Sequence, residues 1–158
     1  MDSQRLLDGI DTGEALDFLA AMIRFKSYSG EPGETELARF MVERMRSLGL
    51  DAVLQPVEAE RFNAIGTLNG SGGGKSLLFN GHMDTSYSGA EAETAGRTGF
   101  APSPVVRDGR IWGLGISNMK GALACYVEAV RALRDSGVTL AGELMVAAVV
   151  GEIEKTVP

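Results

Sequence analysis

Leu77-Leu78-Phe79-Asn80-Gly81-His82-Met83-Asp84-Thr85 decides how this chain folds and where its chemistry sits. An apolar run of strand type leads straight into the only histidine, and an aspartate follows two residues later. Imidazole is the commonest protein metal ligand, and it needs a partner on its other nitrogen to fix its tautomer and orientation. A rigid strand end carrying His-x-Asp supplies both groups from one stretch. Taken alone, the same pair also suits a purely structural hydrogen bond.

Two later segments bear on that choice. One is Gly113-Leu114-Gly115-Ile116-Ser117-Asn118-Met119-Lys120-Gly121-Ala122-Leu123, and the other is Val149-Val150-Gly151-Glu152-Ile153-Glu154 at the end of an apolar run. In this order the three segments resemble the zinc amidohydrolase and exopeptidase family of acetylornithine deacetylase, succinyl-diaminopimelate desuccinylase, carboxypeptidase G and the aminoacylases. The family pattern is a strand ending in Gly-His-x-Asp-Thr, then Gly-x-Gly-x-x-Asp-x-Lys-Gly, then a strand ending in Glu-Glu. Arg61-Phe62-Asn63 resembles the family's Arg-x-Asn before a strand. The resemblance covers nearly the whole chain.

The resemblance implies a layered α/β/α fold of zinc-exopeptidase type with a mixed central sheet, here incomplete. It implies zinc as cofactor, with cobalt as a substitute, and a small N-acylated amino acid or peptide as substrate. By resemblance His82 is a zinc ligand, Asp84 the carboxylate that orients it and Glu152 the general base. A metal-bound water with its pKa lowered to about 7 is a strong nucleophile at neutral pH, and a nearby carboxylate can carry its proton to the leaving amine. Each of these residues closes an apparent strand, where open α/β sheets place their ligand sites.

Two positions depart from the pattern. Asn118 stands where the family has an aspartate bridging two zinc ions, and a neutral bridge weakens a second site because the two ions repel. Asn is also among the best helix N-caps, which is the expectation for Asn118 without a metal. Ile153 stands in place of the second Glu. Glu154 follows one residue later, on the opposite side of a strand unless a bulge turns it. Only His82 is a clean ligand, whereas a zinc site takes three or four.

Elsewhere the sequence reads as alternating helices and strands. Residues 11–26 form an amphipathic helix with Asp11 and Glu14 as a capping box and Ala15, Leu16, Leu19, Met22 and Ile23 inward. A second helix spans 34–48, with Leu37, Phe40, Met41, Met45 and Leu48 inward and Gly49 ending it. Strands are expected at 52–57 and 62–68, an irregular loop at 86–104, and a hairpin turning at Asp108-Gly109. A third helix begins at Ser117 or Asn118, buries Leu123, Tyr126, Val127 and Val130, and holds Cys125 as a small packing residue. The continuous apolar run 144–150 suits a central strand covered on both faces. Gly74-Lys75-Ser76 is not a phosphate loop, because Asn69 stands where that motif needs glycine and a strand follows.

The 158 residues, 44% hydrophobic and 23% charged, can form one domain with a sizeable core. A net charge of −6 argues against nucleic acid or an anionic membrane as partner. One cysteine rules out an internal disulfide, and no apolar run is long enough to span a bilayer, so a cytoplasmic location is expected. Members of the family are usually more than twice as long. Residues 1–158 are therefore expected to be the N-terminal part of a metallohydrolase catalytic domain, without the dimerisation or lid domain and the C-terminal half. Such a chain alone is expected to be inactive, with a homodimer only in a full-length parent. The alternative is a catalytically inactive fragment or member of the same fold, kept as a structural or interaction module. An unrelated nucleotide-binding domain rests on the glycines alone.

Overall fold

A computed structural model describes residues 3–58 and 60–153. Three helices come first: α1 (Ser3–Asp8), α2 (Thr12–Ile23) and α3 (Pro32–Ser47). Strands β1 (Asp51–Glu58), β2 (Arg61–Leu68) and β3 (Leu77–His82) follow, then a short hairpin of β4 (Val105–Arg107) and β5 (Arg110–Trp112). Helix α4 (Gly121–Asp135) leads into β6 (Leu144–Val149). The main sheet has the order β1-β2-β6-β3. β1, β2 and β6 are antiparallel neighbours and β3 runs parallel to β6. The expected mixed sheet is present, and the run read as a central strand lies between β2 and β3.

Helix α2 shows how local signals are reused at long range. Asp11 caps it, its carboxylate accepting the N–H groups of Gly13 at 2.9 Å and Glu14 at 3.1 Å. The reciprocal half of the capping box does not form. Glu14 instead pairs with Arg44 of α3 at 2.9 Å, and the Asp11 N–H donates to Glu128 of α4 at 2.6 Å. The two halves of one local motif thus tie three helices together. The helix stops at Ile23 rather than running to residue 26, and Phe18 is buried where Leu16 is not. Helix α3 starts on Pro32, which needs no N–H in the first turn, and Gly49 closes it at φ +81°. Helix α1 was not expected from the sequence.

Register shows which face the helices cover. Gly66, Val146 and Phe79 are paired across β2, β6 and β3 and share one face. A Cβ on Gly66 would meet Met45 of α3, and Phe79 stacks on Tyr126 of α4 at 4.9 Å. Helices α3 and α4 therefore lie on the same face. The core of Met22, Ile23, Leu37, Met41, Met45, Leu123, Val130 and Val146 sits beneath them. On the opposite face Val53 and Leu78 are 49% and 51% exposed. Among the described residues the second helical layer of an α/β/α arrangement is absent. Cys125 is exposed on α4, so it is not the packing residue expected.

The close approach of α3 to β2 is testable. At Gly66 a Cβ would lie 2.5 Å from the Met45 sulfur and 3.1 Å from Leu50. Gly66→Ala should cost about 1–3 kcal/mol in urea unfolding, as overpacked core positions do. Gly99→Ala, where nothing lies within 4 Å, should change stability by less than about 0.5 kcal/mol. Equal midpoints for the two variants would refute this account of the packing.

Candidate functional site

His82 ends β3 opposite Val149 of β6. The chain beyond it is held in the strand direction. Met83 N–H donates to the Val149 carbonyl at 2.8 Å, Ser27 hydroxyl to the Met83 carbonyl at 2.7 Å, and Thr85 N–H to the Ser27 carbonyl at 2.8 Å. Asp84 is thereby fixed in a fully buried position.

The imidazole Nδ1 lies 2.9 Å from the carbonyl oxygen of Asp84 and 3.4 Å from its carboxylate. A carbonyl can only accept, so Nδ1 carries the proton and the neutral ring leaves Nε2 free as an acceptor. Nε2 faces a carboxylate oxygen of Glu152 at 3.6 Å. The Asp84 side chain holds the imidazole pKa above its ordinary value of 6.5, against the opposing effect of burial.

Asp84 also gathers the end of β6. Its two carboxylate oxygens accept N–H groups from Ile153 at 2.8 Å and Glu152 at 3.4 Å, and a hydroxyl from Ser29 at 3.3 Å. Burial alone would push its pKa up, but the contacts with His82 and the Ile153 N–H hold it below the usual value. Asn63 of β2 accepts the Val150 N–H at 3.0 Å, where the β6 ladder ends. Behind Ser29, Arg61 donates to its hydroxyl at 3.3 Å and forks onto buried Glu34 at 2.7 and 2.9 Å. Both polar residues of Arg61-Phe62-Asn63 thus support the site. Ser27, Ser29 and Glu34 escaped the sequence reading, because their roles depend on partners 27 to 56 positions away.

His82, Asp84 and Glu152 are brought together. Asn118 is not the N-cap expected: its backbone is non-helical at φ −103°, ψ 54°, and α4 begins at Gly121. Its side-chain oxygen instead accepts the N–H of Ser86 at 2.8 Å and the Ser86 hydroxyl at 3.1 Å. The turn is forced against the β3 extension, since a Cβ at Gly115 (φ +80°) would lie 2.6 Å from the Thr85 methyl. Glu154 lies outside the described residues. Among the described residues no group of three or more His, Cys, Asp or Glu is placed to hold a metal ion. One free imidazole nitrogen and one carboxylate fall short of the three or four donors of a zinc site. These residues alone do not fit zinc.

Residues 78–153 match the description of peptidase family M20/M25/M40. That segment belongs to this family. The chain is 34% identical over 93 residues to an N-formyl-4-amino-5-aminomethyl-2-methylpyrimidine deformylase of Bacillus subtilis, covering 57% of the chain and 21% of the relative. It is 32% identical over 117 residues to a putative [LysW]-lysine/[LysW]-ornithine hydrolase of Thermococcus kodakarensis, covering 74% of the chain and 28% of the relative. The chain thus spans well under a third of these relatives. Its fold is similar to a di-peptidase of Saccharomyces cerevisiae, with TM-score 0.77 and 18% identity over 98% of this chain and 35% of that one. It is also similar to an M20 family metallo-carboxypeptidase of Sulfolobus solfataricus, with TM-score 0.72 and 22% identity over 86% and 30%.

Lys120 follows Asn118 in the same turn and is fully buried. Its ammonium donates to the Phe25 carbonyl at 2.8 Å, and burial lowers its pKa to about 7 from 10.5. The unfolded chain binds the extra proton between those values, so stability should rise with pH from about 7 to 10.5. Lys120→Met should flatten that rise in urea titrations at a series of pH values, and an unchanged slope would contradict the assignment.

His82 shifts the other way. Its raised pKa adds stability below pH 6.5 that is lost as pH rises through the folded value. As the only histidine, its ring protons can be followed by NMR without assignment. The midpoint should lie above 6.5 and move down in Asp84→Asn. A midpoint at or below 6.5 in the unmodified chain would rule out the Asp84 contact in solution.

Proposed function

We propose that this chain carries the His-x-Asp and glutamate part of the catalytic domain of an amide-bond hydrolase acting on N-acylated amino acids or small peptides. The observation that carries the reading is the convergence of His82, Asp84 and Glu152 at the ends of two adjacent parallel strands, within a segment of peptidase family M20/M25/M40. Glu152 is 56% exposed at its side chain and open to substrate and solvent. Its carboxylate would take a proton from the attacking water and deliver it to the leaving amine, a role worth about 10²–10⁴-fold in rate. Asp84 would fix the tautomer of His82 and, through its backbone N–H partners, the position of Glu152.

Zinc, or cobalt in its place, is the cofactor the family points to. The described donors do not complete such a site. Further donors would have to come from outside residues 3–153. No described helix is long and apolar enough to cross a membrane. The proposed setting is cytoplasmic, with dimerisation confined to a longer parent.

A second reading, a non-catalytic member of the same fold, is favoured by one observation. The Asn118 oxygen is committed to Ser86, in the place where the family pattern has a charged residue. A chimera separates the two readings. Residues 3–153 would replace the aligned stretch of the Thermococcus kodakarensis relative, and N-acylated amino acids would be assayed with added zinc or cobalt. The hydrolase reading expects turnover that drops about 100-fold or more in Glu152→Ala. No turnover until Asn118→Asp is introduced would favour the non-catalytic reading. Turnover unaffected by Glu152→Ala would sink the proposed role of that residue.

A further inference from the structure

A cavity of about 750 Å³ lies at the Ser86–Asn118 contact, lined by both of those residues and by Thr85, which follows Asp84 in the chain. Its volume falls in the range of small-molecule sites. The walls are mainly apolar, built from Tyr87, Phe100, Trp112, Leu114 and Ile116. Tyr87 and Phe100 meet edge to face at 4.8 Å, which fixes two rings of the wall. The floor is firm, with Leu114 only 2% exposed. The irregular 86–104 loop and the β4–β5 hairpin therefore line a space that reaches Thr85, directly after Asp84 in the chain.

Arg110 lines the same cavity, and no carboxylate among the described residues pairs with it. The neighbouring acid, Asp108, faces Arg107 at 3.7 Å. In a chain of net charge −6, a free guanidinium on an apolar wall is a local exception that suits an anion. Guanidinium is also the group best matched to a carboxylate, through two parallel hydrogen bonds. Asn118 and Ser117 add hydrogen-bonding groups at the end nearest Ser86.

We infer that this cavity takes the aromatic side chain of a carboxylate-bearing N-acylated amino acid, with its carboxylate on Arg110. The inference rests on the hydrolase reading for the nature of the amide, and adds the side-chain class and the anion contact. Neither a short polar amino acid nor a neutral aromatic amide would satisfy both features.

Trp112, the only tryptophan, lies in the cavity wall and reports directly on its occupancy. The 158-residue chain would be titrated with N-acetyl-phenylalanine while Trp112 emission is followed, and equilibrium dialysis with the same compound would count bound molecules. Saturable binding of one molecule per chain is expected. Affinity should fall about fivefold in Arg110→Gln, and by a similar factor when N-acetyl-phenylalanine amide replaces the acid, as for a partly exposed ion pair. N-acetylglycine should not bind over the same range. Absence of binding in dialysis, equal binding of N-acetylglycine, or no effect of Arg110→Gln would each overturn the inference. Binding to this chain without hydrolysis by the chimera would keep the cavity and sink the hydrolase reading. Hydrolysis by the chimera with no preference for aromatic side chains would do the reverse.

Discussion

The buried carboxylate of Asp84 is the constraint on which the site depends. An ionised group out of reach of water must be met by hydrogen bonds or opposite charge, or it protonates. Its partners come from three parts of the chain: the imidazole of His82, the hydroxyl of Ser29, and the backbone of Glu152 and Ile153. None of the three parts could move far without leaving a lone pair unmet at a cost of about 1–3 kcal/mol. The distance between His82 and Glu152 is therefore set less by those two side chains than by what the carboxylate between them requires.

Charge is distributed around this group in a definite order. Arg61 is the strongest cation nearby, but Glu34 occupies its fork and holds its pKa above an already high value. Arg61 reaches Asp84 only through the Ser29 hydroxyl. Lys120 is turned to the Phe25 carbonyl, and burial lowers its pKa to about 7. His82 is left as the titratable partner in direct contact with Asp84, which accounts for its raised pKa. A proton on His82, or a cation at Nε2, would serve the same electrostatic purpose.

How much of this could be read from the sequence follows from the range of the interactions. The clustering of His82, Asp84 and Glu152 was legible because each apolar run stops at a sharp boundary, where a sheet offers side chains to a ligand, while the roles assigned to them came from the family resemblance. Gly49 and Pro32 were legible or nearly so, since helix ends are local matters. The reciprocal half of the Asp11–Glu14 box was not, because Glu128 and Arg44 outbid it from elements far along the chain. Ser29 and Glu34 look like ordinary loop and helix residues until Asp84 and Arg61 are placed beside them. Cys125 was misjudged because helical periodicity does not say how wide the buried stripe is. Asn118 was misjudged because the turn before α4 takes a left-handed step at Met119 (φ +69°), which delays the helix to Gly121.

That delayed turn changes what Asn118 can do. One end of its amide must be the oxygen, because the Ser86 N–H facing it can only donate. The other end is then an NH₂ group, a donor. An aspartate here could accept the same two hydrogen bonds from Ser86 on one oxygen and offer the second, charged oxygen to a cation. Asparagine offers N–H groups instead, which repel a metal ion and suit a carbonyl or carboxylate. Asn118 lines the cavity that also holds Arg110. The replacement of one oxygen by nitrogen therefore shifts this corner of the site from chemistry that favours cations to chemistry that favours an acyl oxygen or an anion. It does so without disturbing the Ser86 contact that positions the turn.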